Sequence, residues 1–205
     1  MVRLTIPSPV TSSRSRVHGF TLIEMLVVIT ISAILLAVGV PMFNGTIASA
    51  RASDAANSLK GAIELAVSTA NGPRGVAVSA CRITNPVATP LVCNNGAVGN
   101  YAAGDWAAGW AVFVEADAAG ALGVIDAGDE ILQVQQPFAT AGGQHPEMLG
   151  GGAGIASITF NPAGDRVGGG ANVFNITYPQ AASGAALSRR TLTFTVKGQV
   201  SVVRN

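Results

Sequence analysis

Arg14-Ser-Arg-Val-His-Gly-Phe-Thr-Leu-Ile-Glu24-Met-Leu-Val-Val-Ile-Thr-Ile-Ser-Ala-Ile-Leu-Leu-Ala-Val-Gly-Val-Pro41 decides the architecture of this 205-residue chain. From Phe20 to Val40, 21 residues run with Glu24 as the only charge. A helix rises ~1.5 Å per residue, so about 20 apolar residues cross ~30 Å of hydrocarbon. The run therefore reads as a membrane-spanning helix. Arg3, Arg14 and Arg16 precede it and the charges that follow are mixed, which holds the leader on the cytoplasmic side and sends the rest outward. An ordinary secretory signal would be cut after the apolar run and behind small residues. Val38-Gly-Val-Pro41 is a poor site of that kind.

A short basic leader, then Gly19, Phe20 and a carboxylate at Glu24 heading an apolar run, resembles the N-terminus of the type IV prepilins. The resemblance implies cleavage by the prepilin peptidase between Gly19 and Phe20, followed by N-methylation of Phe20. It makes Glu24 the fifth residue of the mature chain and the family's assembly residue, which pairs with the methylated amino group of a neighbouring subunit. A carboxylate within a membrane helix costs about 2.5 to 3.5 kcal/mol on insertion scales, so Glu24 needs such a partner or must snorkel to the interface.

Composition fits an exported assembly subunit better than a cytosolic enzyme. Hydrophobic residues make up 49% and charged residues 11% of the chain, with 25 glycines, and the mean hydropathy is +0.44. Removing the leader takes three of the 12 basic residues and leaves 9 against 11 acidic ones, a net charge of −2. Such a balance does not advertise nucleic acid. The 186 residues from Phe20 onward suit one anchored helix plus one globular domain large enough for its own core.

Past Pro41 the helix is expected to continue, since proline is tolerated in membrane helices. Ala55, Leu59, Ala62, Ile63, Ala66, Val67 and Ala70 fall at three- and four-residue spacings, with Arg51, Asp54, Lys60 and Glu64 on the other side. Asn71-Gly-Pro73 supplies the stop. The whole helix is thus expected over residues 20–72, followed by a β-rich domain over 73–205 and preceded by a cleaved leader, 1–19. The fold class is α+β, a long N-terminal helix packed on an antiparallel sheet domain. Strands are expected at 75–82, 109–115, 130–136, 155–160, 173–178, 191–196 and 199–203, with turns at 161–164 and at Lys197-Gly198. The glycine-rich stretch 139–154 has no periodicity and is expected to be a mobile loop.

Cys81 and Cys93 are the only cysteines. Outside the cytosol an even pair is most simply a disulfide, and two lone thiols without further ligands do not make a metal site. Together with the cysteines, Trp106-Ala-Ala-Gly-Trp110-Ala-Val-Phe113, Asp117-Ala-Ala-Gly120, Ile158-Thr-Phe-Asn-Pro-Ala-Gly164 and Thr193-Phe-Thr-Val-Lys-Gly198 resemble the FimT/GspH family. These are minor pilins of type IV pili and minor pseudopilins of type II secretion. The resemblance implies a single-pass inner-membrane protein with a periplasmic domain, which joins other pilins or pseudopilins through its N-terminal helix and helps to initiate or cap a pilus-like filament. Trp106, Trp110 and Phe113 are read as core anchors in a domain otherwise built of small residues.

Other chemistry finds little footing. Asp117, Asp126, Asp129 and Glu130 lack EF-hand spacing and read as a solvated turn, so neither metal nor cofactor is expected. The mature chain keeps one histidine, His145, and no nucleophile and base stand at catalytic spacing, which argues against an enzyme. Arg189, Arg190, Lys197 and Arg204 make the C-terminus locally basic. Some FimT-like pilins bind DNA through a Gly-Arg-X-Arg stretch after the last turn. Here the stretch is Gly198-Gln-Val-Ser201, and DNA uptake stays the alternative function.

Overall fold

The computed structural model describes residues 19–116, 121–138, 144–151, 154–168, 172–178 and 188–205, and of residues 40, 41, 42 and 44 the backbone alone. Two units divide the chain, Met1–Val40 and Pro41–Asn205. One helix, α1 (Leu22–Ala70), contributes to both.

In the second unit α1 turns one face inward. Ala52, Ala55, Ala56, Leu59, Ala62, Ile63, Ala66 and Ala70 are wholly buried. This is the apolar stripe that the spacing predicts, and its alanines let neighbouring backbone approach closely. Arg51, Asp54 and Glu64 are exposed, and Lys60 lies 3.6 Å from Glu64 one turn on. The helix stops at Ala70. Gly75 rather than Gly72 adopts the left-handed conformation that follows (φ +58°).

The strands are β1 (Val78–Arg82), β2 (Trp110–Val114), β3 (Glu130–Gln135), β4 (Glu147–Gly150), β5 (Ser157–Phe160), β6 (Arg166–Val167), β7 (Val173–Tyr178), β8 (Ser188–Phe194) and β9 (Val200–Arg204). Among the described residues they form two antiparallel sheets, ordered β3-β2-β1-β5-β6 and β4-β7-β8-β9. Both sheets share one core with α1. Trp106 anchors it, its ring edge-on to Phe174 at 5.2 Å and its Nε1 donating to the Ile155 carbonyl at 2.6 Å. That bond satisfies the indole's single donor inside an apolar setting.

β1 and β2 are buried along their whole length because the first sheet is covered on both faces. Trp110, Val112 and Val114 point to the α1 core. Phe113 points the other way and packs with Cys81, Ile83 and Ala111 under a second cover that includes Leu91, Cys93 and Ile125. Phe113 is therefore a core anchor, but of the outer cluster. The Cys81–Cys93 disulfide, with Cα atoms 5.6 Å apart, ties that cover to β1.

Three elements depart from the sequence reading. Within the stretch expected to be a mobile loop, residues 147–150 form β4, pairing with β7 so that Met148 faces Ile176. Four residues with two apolar side chains carry too little alternation to announce a strand. A 3-10 turn (Trp106–Ala108) precedes β2, capped by Asp105. The two-residue strand β6 pairs with β5 across the expected Asn161–Gly164 turn, in which the Asn161 side chain accepts from the amides of Ala163 and Asp165 at 3.0 and 2.9 Å.

Candidate processing and assembly segment

Gly19 and Phe20 lie just outside α1, and Phe20 is 74% exposed. Thr21 precedes the first helical residue and accepts the Glu24 amide on its hydroxyl at 3.3 Å. Threonine at the cap with glutamate three positions on is the capping-box pattern. The signal for it is present in Thr21-Leu-Ile-Glu24, beside the more conspicuous one of a charge in an apolar run. A carboxylate in the first helical turn also complements the positive end of the helix dipole.

Behind this cap, Leu22–Gly39 is long and apolar enough to cross a membrane, and none of it is buried within the fold. Leu22, Ile29, Ile34, Leu35, Leu36 and Val38 are each more than half exposed. The Thr30 hydroxyl donates to the Leu26 carbonyl at 2.7 Å, so this polar group is satisfied inside the helix and makes no demand on hydrocarbon. The arginines of the leader and His18 lie outside the described residues.

Elsewhere the charged groups serve the fold. Arg82 is fully buried and donates to the carbonyls of Asp105 (2.6 Å), Asn94 (2.6 Å), Gly96 (2.7 Å) and Ala102 (3.3 Å). It pins the disulfide loop to the domain, and burial lowers its pKa against the opposing pull of Asp105. Asp105, also fully buried, accepts the amides of Ala107 (3.0 Å) and Met148 (2.8 Å) on Oδ1 and so holds the 3-10 turn to β4. Burial raises its pKa more than those bonds lower it. His145 Nδ1 stands 3.6 Å from Asp105 Oδ2, and its ring packs on Tyr101 at 4.4 Å. Glu115 accepts from Ser79 and from the Gly123 amide, and burial raises its pKa too, with Asp129 and Asp126 adding to the effect.

The acidic turn is built as a turn. Asp129 accepts the amides of Ala116 (2.9 Å) and Asp126 (2.8 Å), and Glu130 pairs with Arg74 at 2.6 Å. Asp117 lies outside the described residues, and among those described no group of three metal-ligating side chains gathers.

The basic C-terminal residues are separated by the sheet. Strand alternation places Arg189 outward and Arg190 inward toward α1. Lys197, at the β8–β9 turn, pairs with Asp165 at 2.6 Å. Only Arg190 and Arg204 meet, as direct partners across β8 and β9.

Residues 14–40 match the family described as the prokaryotic N-terminal methylation motif. No curated protein matches the chain. Among solved structures, the type IV minor pilin FimU of Pseudomonas aeruginosa (strain PAO1) is similar in two crystal forms. One shares 16% identity at a TM-score of 0.45, over 74% of this chain and 87% of that one. The other shares 15% at 0.42, over 74% and 91%.

Proposed function

We propose that this chain is a minor pilin or minor pseudopilin, a structural subunit that initiates or caps a pilus-like filament of type II secretion or of a type IV pilus. The observation that carries the reading is the methylation motif at residues 14–40, placed on a capped helix whose largely apolar 18-residue stretch, Leu22–Gly39, finds no cover in its own fold. Such a helix requires lipid before assembly and neighbouring helices after it. In this reading the prepilin peptidase removes residues 1–19 and Phe20 is methylated. Residues 20–40 then span the inner membrane, and the β-rich domain stands in the periplasm. Glu24 meets the methylated amine of a neighbouring subunit. The role is structural rather than catalytic.

DNA capture draws less support, because the residues that would form its basic patch are divided between two faces of a sheet and an ion pair. Mass spectrometry of the mature N-terminus tests the main reading. Methyl-phenylalanine as residue one is expected, and a chain beginning near Pro41 would overturn it.

A further inference from the structure

On the face of the first sheet turned away from α1, three polar side chains stand together: Ser79 of β1, Thr159 of β5 and Glu115 just past β2. Ser79 is fully buried, and Thr159 and Glu115 are each 6% exposed. The Ser79 hydroxyl shares a proton with Thr159 at 2.6 Å and donates to Glu115 Oε1, which also accepts the Gly123 amide at 2.8 Å. Both donors thus fall on one oxygen, and no described group donates to Oε2. Nor does a cation among the described residues pair with Glu115, since Arg74 stands beside Glu130 and Lys197 beside Asp165, each at 2.6 Å. A carboxylate withdrawn from water ordinarily has a cation or a full set of donors, because a buried charge costs far more than a buried dipole. Burial raises the Glu115 pKa, and Asp129 and Asp126 add to the effect. A cation at Oε2 would relieve both causes.

Glu115 lines a pocket of about 330 Å³ whose walls are otherwise largely aliphatic, with Val76, Ala77, Leu122, Pro162 and Val167. Every lining residue belongs to the second unit, so the pocket is complete within the domain. Aliphatic walls around a single buried carboxyl select a guest with an apolar stem and one positive tip. A lysine side chain has this form, four methylenes that lie along apolar surface and an ammonium at the end. Arginine suits the pocket less well. Its guanidinium fork is matched by two free carboxylate oxygens, whereas a compact ammonium is met by one, and Oε1 already accepts twice.

We propose that this pocket takes a lysine side chain presented by a neighbouring subunit, its stem against Val76, Leu122 and Val167 and its ammonium at Glu115 Oε2. The carboxyl and the aliphatic walls define the guest's chemistry. The neighbouring subunit as its source rests on the reading of this chain as a filament component.

The test uses the mature full-length protein in neutral detergent, with methyl signals of Val76, Leu122 and Val167 followed by nuclear magnetic resonance. The probes are Nα-acetyl-lysine amide, its norleucine and arginine counterparts, and 1,4-diaminobutane. Saturable shifts are expected with the lysine derivative, and the norleucine and arginine compounds should bind at least about tenfold more weakly, a difference of about 1.4 kcal/mol. Glu115→Gln keeps an oxygen for Ser79 and Gly123 while removing the charge, and it should abolish the preference for lysine over norleucine. Absence of saturable shifts, equal binding of norleucine, or a preference that persists in Glu115→Gln overturns the proposal. Equal binding of arginine overturns the assignment to lysine, and tighter binding of the diamine overturns the subunit as the source. Leu122→Ser, at a partly exposed position of the wall, gives a second check that leaves the carboxyl in place: lysine binding should weaken, and unchanged binding would remove the pocket from the proposal. The filament reading itself stands or falls by the mature N-terminus, so its failure and the failure of the pocket give different results.

Discussion

At the scale of single residues, the buried carboxylates bear on the pH response and Glu24 carries the proposed assembly role. Asp105 is raised above its ordinary value by burial, so the folded state favours its protonated form. Stability from such a group is fully present below the unfolded pKa and is lost as pH rises through the folded one. Asp105→Asn keeps an oxygen for the amides of Ala107 and Met148 while removing the charge. Urea unfolding at pH 4 and pH 7 should therefore show the variant gaining on the wild type as pH rises. A difference that moves the other way would mean that the charge is stabilised by its surroundings. At Glu24 the cap uses the backbone amide, so Glu24→Ala keeps the Thr21 bond and eases insertion by removing a charge. The variant should insert and be cleaved normally yet fail to co-purify with sister subunits, and normal incorporation would count against the assembly role.

At the scale of elements, two connections govern how the domain holds its outer layers. The β8–β9 turn sits against α1, where a Cβ on Gly198 would lie 2.2 Å from a Val67 methyl, and Gly198 has φ +70°. Gly198→Ala should thus cost about 1–3 kcal/mol, from left-handed strain and from displaced packing together, read as a lower denaturant midpoint at unchanged slope. Reduction of Cys81–Cys93, which closes a loop of sequence separation 12, should cost about 3 kcal/mol in the chain-entropy model. The fold should survive it, because Arg82 still grips the Asn94 and Gly96 carbonyls, and retained far-ultraviolet circular dichroism after reduction would show this. The same elements mark how far the sequence discloses the fold. α1 and the longer strands announce themselves by periodicity, since Leu59, Ile63 and Ala66 or Phe174, Ile176 and Tyr178 repeat the spacing of their element. β4 does not, because it is held from outside its own sequence by the Asp105 carboxylate and by register with β7. Glu24 stands out by itself because a lone carboxylate is costly in an apolar run, whereas the proposed roles of Gly19 and Phe20 rest on the resemblance to the type IV prepilin N-terminus. The pairing of Arg190 with Arg204 depends on strand register, which the residues alone do not state.

At the scale of the whole molecule, the distribution of cations bears on whether this chain is a scaffold or a DNA receptor. Binding duplex DNA through several phosphates weakens by about 0.9 log units per log unit of salt for each contact, so affinity that survives physiological salt needs many aligned cations. Without the leader the chain carries 9 basic against 11 acidic residues. Arg82 is spent on backbone carbonyls inside the fold, and Lys60, Arg74 and Lys197 stand beside carboxylates. Arg190 faces α1 and Arg51 faces Tyr178. On the second sheet Arg189 and Arg204 are the exposed cations among the described residues, too few for a phosphate-tracking stripe. The mature full-length protein in neutral detergent should therefore bind duplex DNA weakly at physiological salt, with a shallow salt slope, as measured by fluorescence anisotropy. Submicromolar binding that disappears when Arg189 and Arg190 are both replaced by alanine would instead place DNA uptake first, provided circular dichroism shows the double variant still folded.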